Sequence, residues 1–121
     1  MTLQMFLELH IVKMQECFRI THFDVEIKWS NIASEMEIDV DTTYLEAQIV
    51  YGKKTEKLWK LGNHQRILST LAHELTHVFT WQLTESKKAS KKEERVTEHL
   101  AKLLFQLYKD DIAYKETLCQ N

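Results

Sequence analysis

The residues with the clearest chemical potential lie between His73 and His77, where the chain reads H-E-L-T-H, an example of the pattern H-E-x-x-H. Residues four apart on an α-helix share one face, with Cβ atoms about 5 to 6 Å apart, so the two imidazoles can bind one metal ion. Zinc accepts neutral imidazole, and a catalytic zinc site keeps one coordination position for water. Glu74 lies between the two histidines, where its carboxylate can take a proton from water whose pKa the metal lowers to about 7. We therefore interpret His73 and His77 as zinc ligands and Glu74 as a general base.

A catalytic zinc site needs a third protein ligand, and acidic residues that can supply it follow later in the chain. Glu94 and Glu98 are four apart and share a helix face with Ala101, whose small side chain allows a second helix to come close. We expect Glu94 to bind the metal and Glu98 to accept the N–H of a zinc-bound histidine, with Glu98 as the alternative ligand. Glu93 is a weaker candidate because it fits a helix cap, and His99 because its helical phase points about 100° away from Glu98.

Two predicted helices position these residues. Residues 64 to 83 place seven side chains on one side at about 100° per residue, namely Ile67, Leu68, Leu71, Leu75, Val78, Phe79 and Gln82. Gly62-Asn63 provides a turn and an N-cap before this helix. A lysine-rich connection over residues 84 to 92 contains the capping box Ser90-Lys91-Lys92-Glu93, which predicts a last helix from about Lys91 to Tyr108. Its apolar positions are Val96, Leu100, Leu103, Leu104 and Leu107.

The preceding part of the chain changes its hydrophobic period from 3.6 to 2. Apolar residues at three- and four-residue spacing predict an amphipathic helix over residues 3 to 18. Alternating patterns then predict strands at residues 23–29, 36–40 and 47–51, and Asp41-Thr42-Thr43 has the turn chemistry for a hairpin between the last two. The expected fold class is α+β: an N-terminal helix, a three-stranded mostly antiparallel sheet, the motif helix and a final helix that supplies the third ligand.

The motifs resemble those of a known group. H-E-L-T-H followed by E-x-x-x-E from Glu94 to Glu98 and then Leu100-Ala101 is similar to the gluzincin pattern. The layout of residues 1 to 108 most resembles the short zincin-like metallopeptidases of phages and prophages, with ImmA/IrrE-type peptidases and thermolysin as more distant comparisons. The resemblance implies a zinc metallopeptidase with His73, His77 and Glu94 as ligands and Glu74 as base. The wider group often has Asp or Asn where this chain has Glu98.

Composition restricts the remaining possibilities. The 121 residues fit one domain, over residues 1–121, and 44% hydrophobic and 28% charged residues are typical of a folded globular protein. Sixteen basic and eighteen acidic residues give a net charge of −2, which provides no positive field to bind nucleic acid. No apolar run is long enough for a membrane helix, and charged residues interrupt the N-terminal apolar stretch. Two cysteines, Cys17 and Cys119, do not make a secreted disulfide framework, so a cytoplasmic location is expected.

The leading hypothesis is a zinc-dependent peptidase acting on a peptide or protein substrate, with its oligomeric state left open. An oxyanion-stabilising donor would come from Tyr, His or Arg, and the tyrosine and histidine candidates are Tyr44, Tyr51, His64, Tyr108 and Tyr114. The alternative is a non-catalytic zinc-stabilised interaction or regulatory module of the same fold. A third interpretation, a helical protein with an accidental motif, predicts no bound transition metal.

Overall fold

A computed structural model describes residues 1–81 and 91–119, and within these ranges the chain forms four helices and one three-stranded sheet. In chain order the elements are α1 (Leu3–Phe18), β1 (Asp24–Trp29), β2 (Met36–Asp41), β3 (Glu46–Tyr51), α2 (Lys53–Lys60), α3 (His64–Trp81) and α4 (Lys91–Cys119). The α+β class is therefore confirmed. Residues 84–90 of the connection predicted over residues 84–92, with Ser90, lie outside the described residues, as does the predicted end of the motif helix at Gln82 and Leu83.

Helix α1 has the bounds that its periodicity predicts, and both of its ends are fixed. The side chain of Thr2 accepts a hydrogen bond from the N–H of Met5, which caps the first turn. At the other end Arg19 adopts a left-handed conformation (φ 61°) and bonds back to carbonyls of the last turn. One face is buried and contributes to the core through Leu3, Phe6, Leu7, Ile11, Met14 and Phe18.

The sheet has the strand order β1-β3-β2 and is mixed. β2 pairs with β3 antiparallel, as the predicted hairpin requires, but β1 pairs with β3 in parallel from Asp24↔Glu46 to Trp29↔Tyr51. The expectation of a mostly antiparallel sheet is therefore wrong. Alternation identifies which side chains face the core, but it is the same for both strand directions. The parallel pair arises because the neighbour of β1 in the sheet is β3 and not β2.

The hairpin turn and the buried sheet face set the position of the edge strand β2. The carboxylate of Asp41 accepts hydrogen bonds from the N–H groups of Thr43 and Tyr44, which fixes the turn into β3. The inner face carries Ile27, Met36, Val40, Ala47, Ile49 and Tyr51, all buried against the helices. β2 is an edge strand, and it packs beside α3.

Helix α3 begins as predicted, since Asn63 accepts a hydrogen bond from the N–H of Arg66 after a turn at Gly62, whose φ is 74°. Ile67, Leu71 and Leu75 are completely buried. They anchor the apolar side of α3 in the core, so the opposite side, with the histidines, is left for α4 and for the cleft.

Helix α4 differs from its prediction in length and in orientation. It continues beyond Tyr108 to Cys119, and its buried positions are Thr97, Ala101 and Tyr108. Three of the predicted apolar positions, Val96, Leu103 and Leu107, are exposed by 46%, 71% and 51%. At these three positions the predicted stripe is wrong, whereas Leu104 packs against the core. The fully buried Thr97 is polar and bonds Thr80 of α3, a contact that hydrophobic periodicity does not detect. Within the described ranges no helix, including α4 as the longest, is both long and apolar enough to cross a membrane.

Candidate metal centre

The two motif histidines lie one turn apart on α3, and their rings converge. Their ring centroids are 5.2 Å apart with the planes at 77°, an edge-on arrangement that brings both rings to one place. The side chain of His73 remains 30% exposed, whereas that of His77 is only 9% exposed. The difference follows from position, since α4 packs along this face of α3.

Glu94, near the start of α4, completes a three-residue group. One carboxylate oxygen lies 3.7 Å from Nε2 of His77, and the other lies 3.9 Å from Nε2 of His73. One ligand atom from each of these residues can be chosen so that all three lie within 4.8 Å of one another. Residues from two separate helices, 17 or more positions apart in the chain, thus meet at one point.

The donor set fits a zinc ion. Tetrahedral zinc with ligand distances of about 2.0 to 2.2 Å holds neighbouring ligand atoms about 3.4 Å apart. The two histidine–carboxylate separations, 3.7 and 3.9 Å, are slightly larger than this spacing, and the three ligand atoms lie within 4.8 Å of one another. Two imidazoles and one carboxylate are ligands that zinc accepts, and three protein ligands leave the open position that a catalytic site requires.

The other predicted ligand candidates have different positions. Glu98 is exposed and lines the cleft beside Glu74, so it shares the site without belonging to the three-residue group. His99 is exposed on α4 and likewise is outside that group. For Glu93 the side chain lies outside what the structure describes. Among the described acidic residues, Glu94 is the one brought within reach of both histidines.

The environment of Glu74 is unusual for a carboxyl group. Burial, followed by the nearby charges of Glu94 and Glu37, raises its pKa from 4.5 to about 8. A carboxylate with a pKa near neutrality is a more effective proton acceptor than an ordinary one. A cation bound between the three ligands would oppose both charge effects and favour the ionised form.

A polar cleft of about 440 Å³ opens beside these residues. It is lined by residues 34–36 before and at the start of β2, Lys54 of α2, Arg66, Ser69, Thr70, His73 and Glu74 of α3, and Glu98 of α4. The cleft thus extends from the edge of the sheet to the two accessible members of the motif.

Glu35 organises the far end of this cleft. Arg66 donates three hydrogen bonds to its carboxylate oxygens at 3.1 to 3.3 Å, and the hydroxyl of Thr70 donates a fourth at 2.7 Å. Burial alone would raise the pKa of Glu35, but these hydrogen bonds outweigh it and the pKa is lowered. Sequence reasoning missed Glu35 because its partners are 31 and 35 residues away. The sequence contains one indication of this cluster, since Arg66, Thr70 and His73 recur at i, i+4 and i+7 on the predicted helix.

None of the five predicted tyrosine and histidine donors, all of them described, lines the cleft. Tyr51 is buried in the sheet and its hydroxyl donates to Gln4 at 2.6 Å. Tyr108 is fully buried and bonded to His10. The cationic side chains in the cleft lining are instead Lys54 and Arg66.

Comparison of this chain with protein-family models, with curated proteins and with solved structures found no match. The chemistry of the site therefore follows from its own residues: three converging side chains that can bind a metal, a neighbouring glutamate and a cleft at a sheet edge.

Proposed function

We propose that this protein is a zinc-dependent peptidase of the zincin-like type, which hydrolyses amide bonds in peptides or proteins. The observation that supports this most strongly is the convergence of His73, His77 and Glu94, with Glu74 beside them in an open cleft. When bound, zinc supplies Lewis acidity, which polarises a carbonyl group and makes water easier to deprotonate. The protein residues hold the ion, orient the substrate and move the proton.

Glu74 is the residue that moves the proton in this proposal. Its carboxylate takes a proton from the attacking water and then delivers it to the nitrogen of the leaving amine. Glu74 directly follows His73 and lines the cleft, so it lies beside the proposed ligands but is not one of them. Burial raises its pKa toward neutrality, which suits a group that both accepts and donates a proton.

A peptide substrate suits the sheet edge next to the cleft. β2 is an edge strand, and its first residue, Met36, lines the cleft together with His73 and Glu74. An extended peptide can add to such an edge through main-chain hydrogen bonds, which directs one of its amide groups toward the site. This arrangement favours an amide in an extended chain over a compact small molecule as the substrate.

The test is the substitution Glu74→Gln, with Glu16→Gln on the exposed side of α1 as the matched control. We expect Glu74→Gln to retain zinc and to lose cleavage of a mixed peptide library, because the proton acceptor alone is removed. The control should cleave like the wild type. Full activity in Glu74→Gln would contradict the assigned role.

A second candidate function is a zinc-stabilised module without catalysis. It is favoured by the location of the ligands on two helices, because an ion there would link α3 to α4 whether or not it reacts. This candidate predicts that zinc raises the thermal unfolding midpoint while the wild type cleaves no peptide. The peptidase proposal predicts both the higher midpoint and cleavage.

A further inference from the structure

A pair of buried hydroxyl groups joins α3 to α4 close to the candidate metal centre. The Thr97 hydroxyl donates a hydrogen bond of 2.9 Å to the hydroxyl oxygen of Thr80. Thr97 is 0% exposed and Thr80 is 1% exposed, so this bond is shielded from water. A side-chain hydrogen bond in such surroundings is electrostatically stronger than one in water and costly to disrupt.

The pair has a specific position relative to the ligands. Thr80 follows His77 by three residues, and Thr97 follows Glu94 by three residues. Three residues are just under one helical turn, or about 4.5 Å along the axis. The bond therefore connects the two helices within one helical turn of a ligand on each.

Helices α3 and α4 pack extensively against each other, and the Thr80–Thr97 bond is a directed contact within that interface. Ala72 and Thr76 of α3 and Ala101 of α4 are also buried, and small side chains allow close approach without interlocking deeply. The side chain of Glu94 itself is 47% exposed, so packing does not enclose it. A directed hydrogen bond, in contrast, restricts both sliding along the axis and rotation about it.

We infer that the Thr80–Thr97 hydrogen bond positions Glu94 against the two histidines. This inference rests on the metal site of the proposed function. Thr97 and Thr80 are positioning residues, since they act through the register of α4 and lie outside the three-ligand group. A register error of one residue would rotate the Glu94 side chain by about 100° and shift it by 1.5 Å, enough to break a three-ligand set.

The test compares three variants with the wild type: Thr97→Val, Thr97→Ser and the double variant Thr80→Val with Thr97→Val. Valine has nearly the shape of threonine but lacks the hydroxyl, and serine restores it. Ile11→Val, a core change in α1 far along the chain from both helices, is the matched control for lost stability. The measurements are zinc affinity by competition with a chromophoric chelator, the absorption spectrum of the cobalt-substituted protein, and the thermal unfolding midpoint.

We expect Thr97→Val to bind zinc about 10-fold more weakly and to show an altered cobalt spectrum, a loss at the lower end of that seen for residues that orient metal ligands. Thr97→Ser should recover the affinity to within about threefold. The double variant should be at least as stable as Thr97→Val, because it does not leave the buried Thr80 hydroxyl without this hydrogen bond, while its zinc affinity stays low. Ile11→Val should lose stability with zinc affinity unchanged.

The inference is overturned if Thr97→Val keeps wild-type zinc affinity and cobalt spectrum, or if affinity follows thermal stability through all variants and the control. Either result leaves the peptidase proposal standing. If the wild type binds no zinc, the inference and the proposed function fail together.

Discussion

In the metal-free protein, replacing Glu74 by glutamine should increase stability, and the increase should grow with pH. The pKa of Glu74 is raised from 4.5 to about 8 by burial and then by the charges of Glu94 and Glu37. Between these two values the folded state holds a proton that the unfolded state releases. Stability is therefore fully present below pH 4.5 and is lost as the pH rises through 8.

The size of this effect follows from the two pKa values, which differ by about 3.5 (8 minus 4.5). At 1.36 kcal/mol for each pKa unit, the loss approaches about 5 kcal/mol above pH 8, about 3 kcal/mol at pH 7 and less than about 1 kcal/mol at pH 5. Glutamine keeps the shape of the side chain and carries no charge. The difference in unfolding free energy between Glu74→Gln and the wild type should follow the same curve.

The assay is urea denaturation at pH 5, 7 and 9 in the presence of a chelator, with Glu16→Gln as the control. Saturating zinc should reduce the pH dependence of the wild type, since a cation at the site stabilises the Glu74 carboxylate. If Glu74→Gln is no more stable than the wild type at pH 9, or is equally stabilised at pH 5 and 9, the reasoning about this carboxyl group is refuted.

Four further substitutions have definite expected results. Glu94→Ala should lose zinc on dialysis, whereas Glu98→Ala should bind it with affinity reduced by no more than about 10- to 100-fold. Metal titration of both variants is the measurement. If Glu98→Ala loses zinc and Glu94→Ala retains it, the third ligand is Glu98. Tyr108→Phe removes the hydrogen bond to His10 and should lower the unfolding free energy in denaturant by about 1 kcal/mol, and an unchanged value would contradict the contact. Gly52→Ala should cost about 1 to 3 kcal/mol in the same assay, because the added Cβ would lie 2.9 Å from a neighbouring side chain, and a neutral result would exclude that close approach.

The features predictable from the sequence are those set by local periodicity. α1 has its predicted bounds, and α3 begins at His64 after the Asn63 cap as expected. The spacing of the two histidines also predicted their convergence, because helical geometry alone brings positions i and i+4 together.

Features that depend on contacts between residues far apart in the sequence were harder to predict. The parallel pairing of β1 with β3 leaves no trace in alternation, and Glu35 enters the cleft through contacts with Arg66 and Thr70, more than 30 residues away. The α4 stripe was misjudged for a related reason. Its buried positions include Ala101 and Thr97, which bonds Thr80 of α3, and hydrophobic periodicity does not select such small or polar residues.

Glu94 is the intermediate case. The resemblance of its motif to the gluzincin pattern and its place near the helix start favoured it over Glu98, and the structure brings it within 3.7 and 3.9 Å of the two imidazoles. Glu98, one turn later, lies in the cleft lining instead. Choosing between two glutamates on one helix face requires the axial position of α4, which no local pattern specifies.

The most direct test of the central claim is the metal content of the purified protein. The wild type and the variant His73→Ala with His77→Ala should be equilibrated with zinc, dialysed against metal-free buffer and measured by elemental analysis. We predict about one zinc ion per chain for the wild type, as for a site with three protein ligands, and none for the double variant. A wild type that retains no transition metal, or a double variant that retains as much as the wild type, would contradict the assignment of this site as a metal centre.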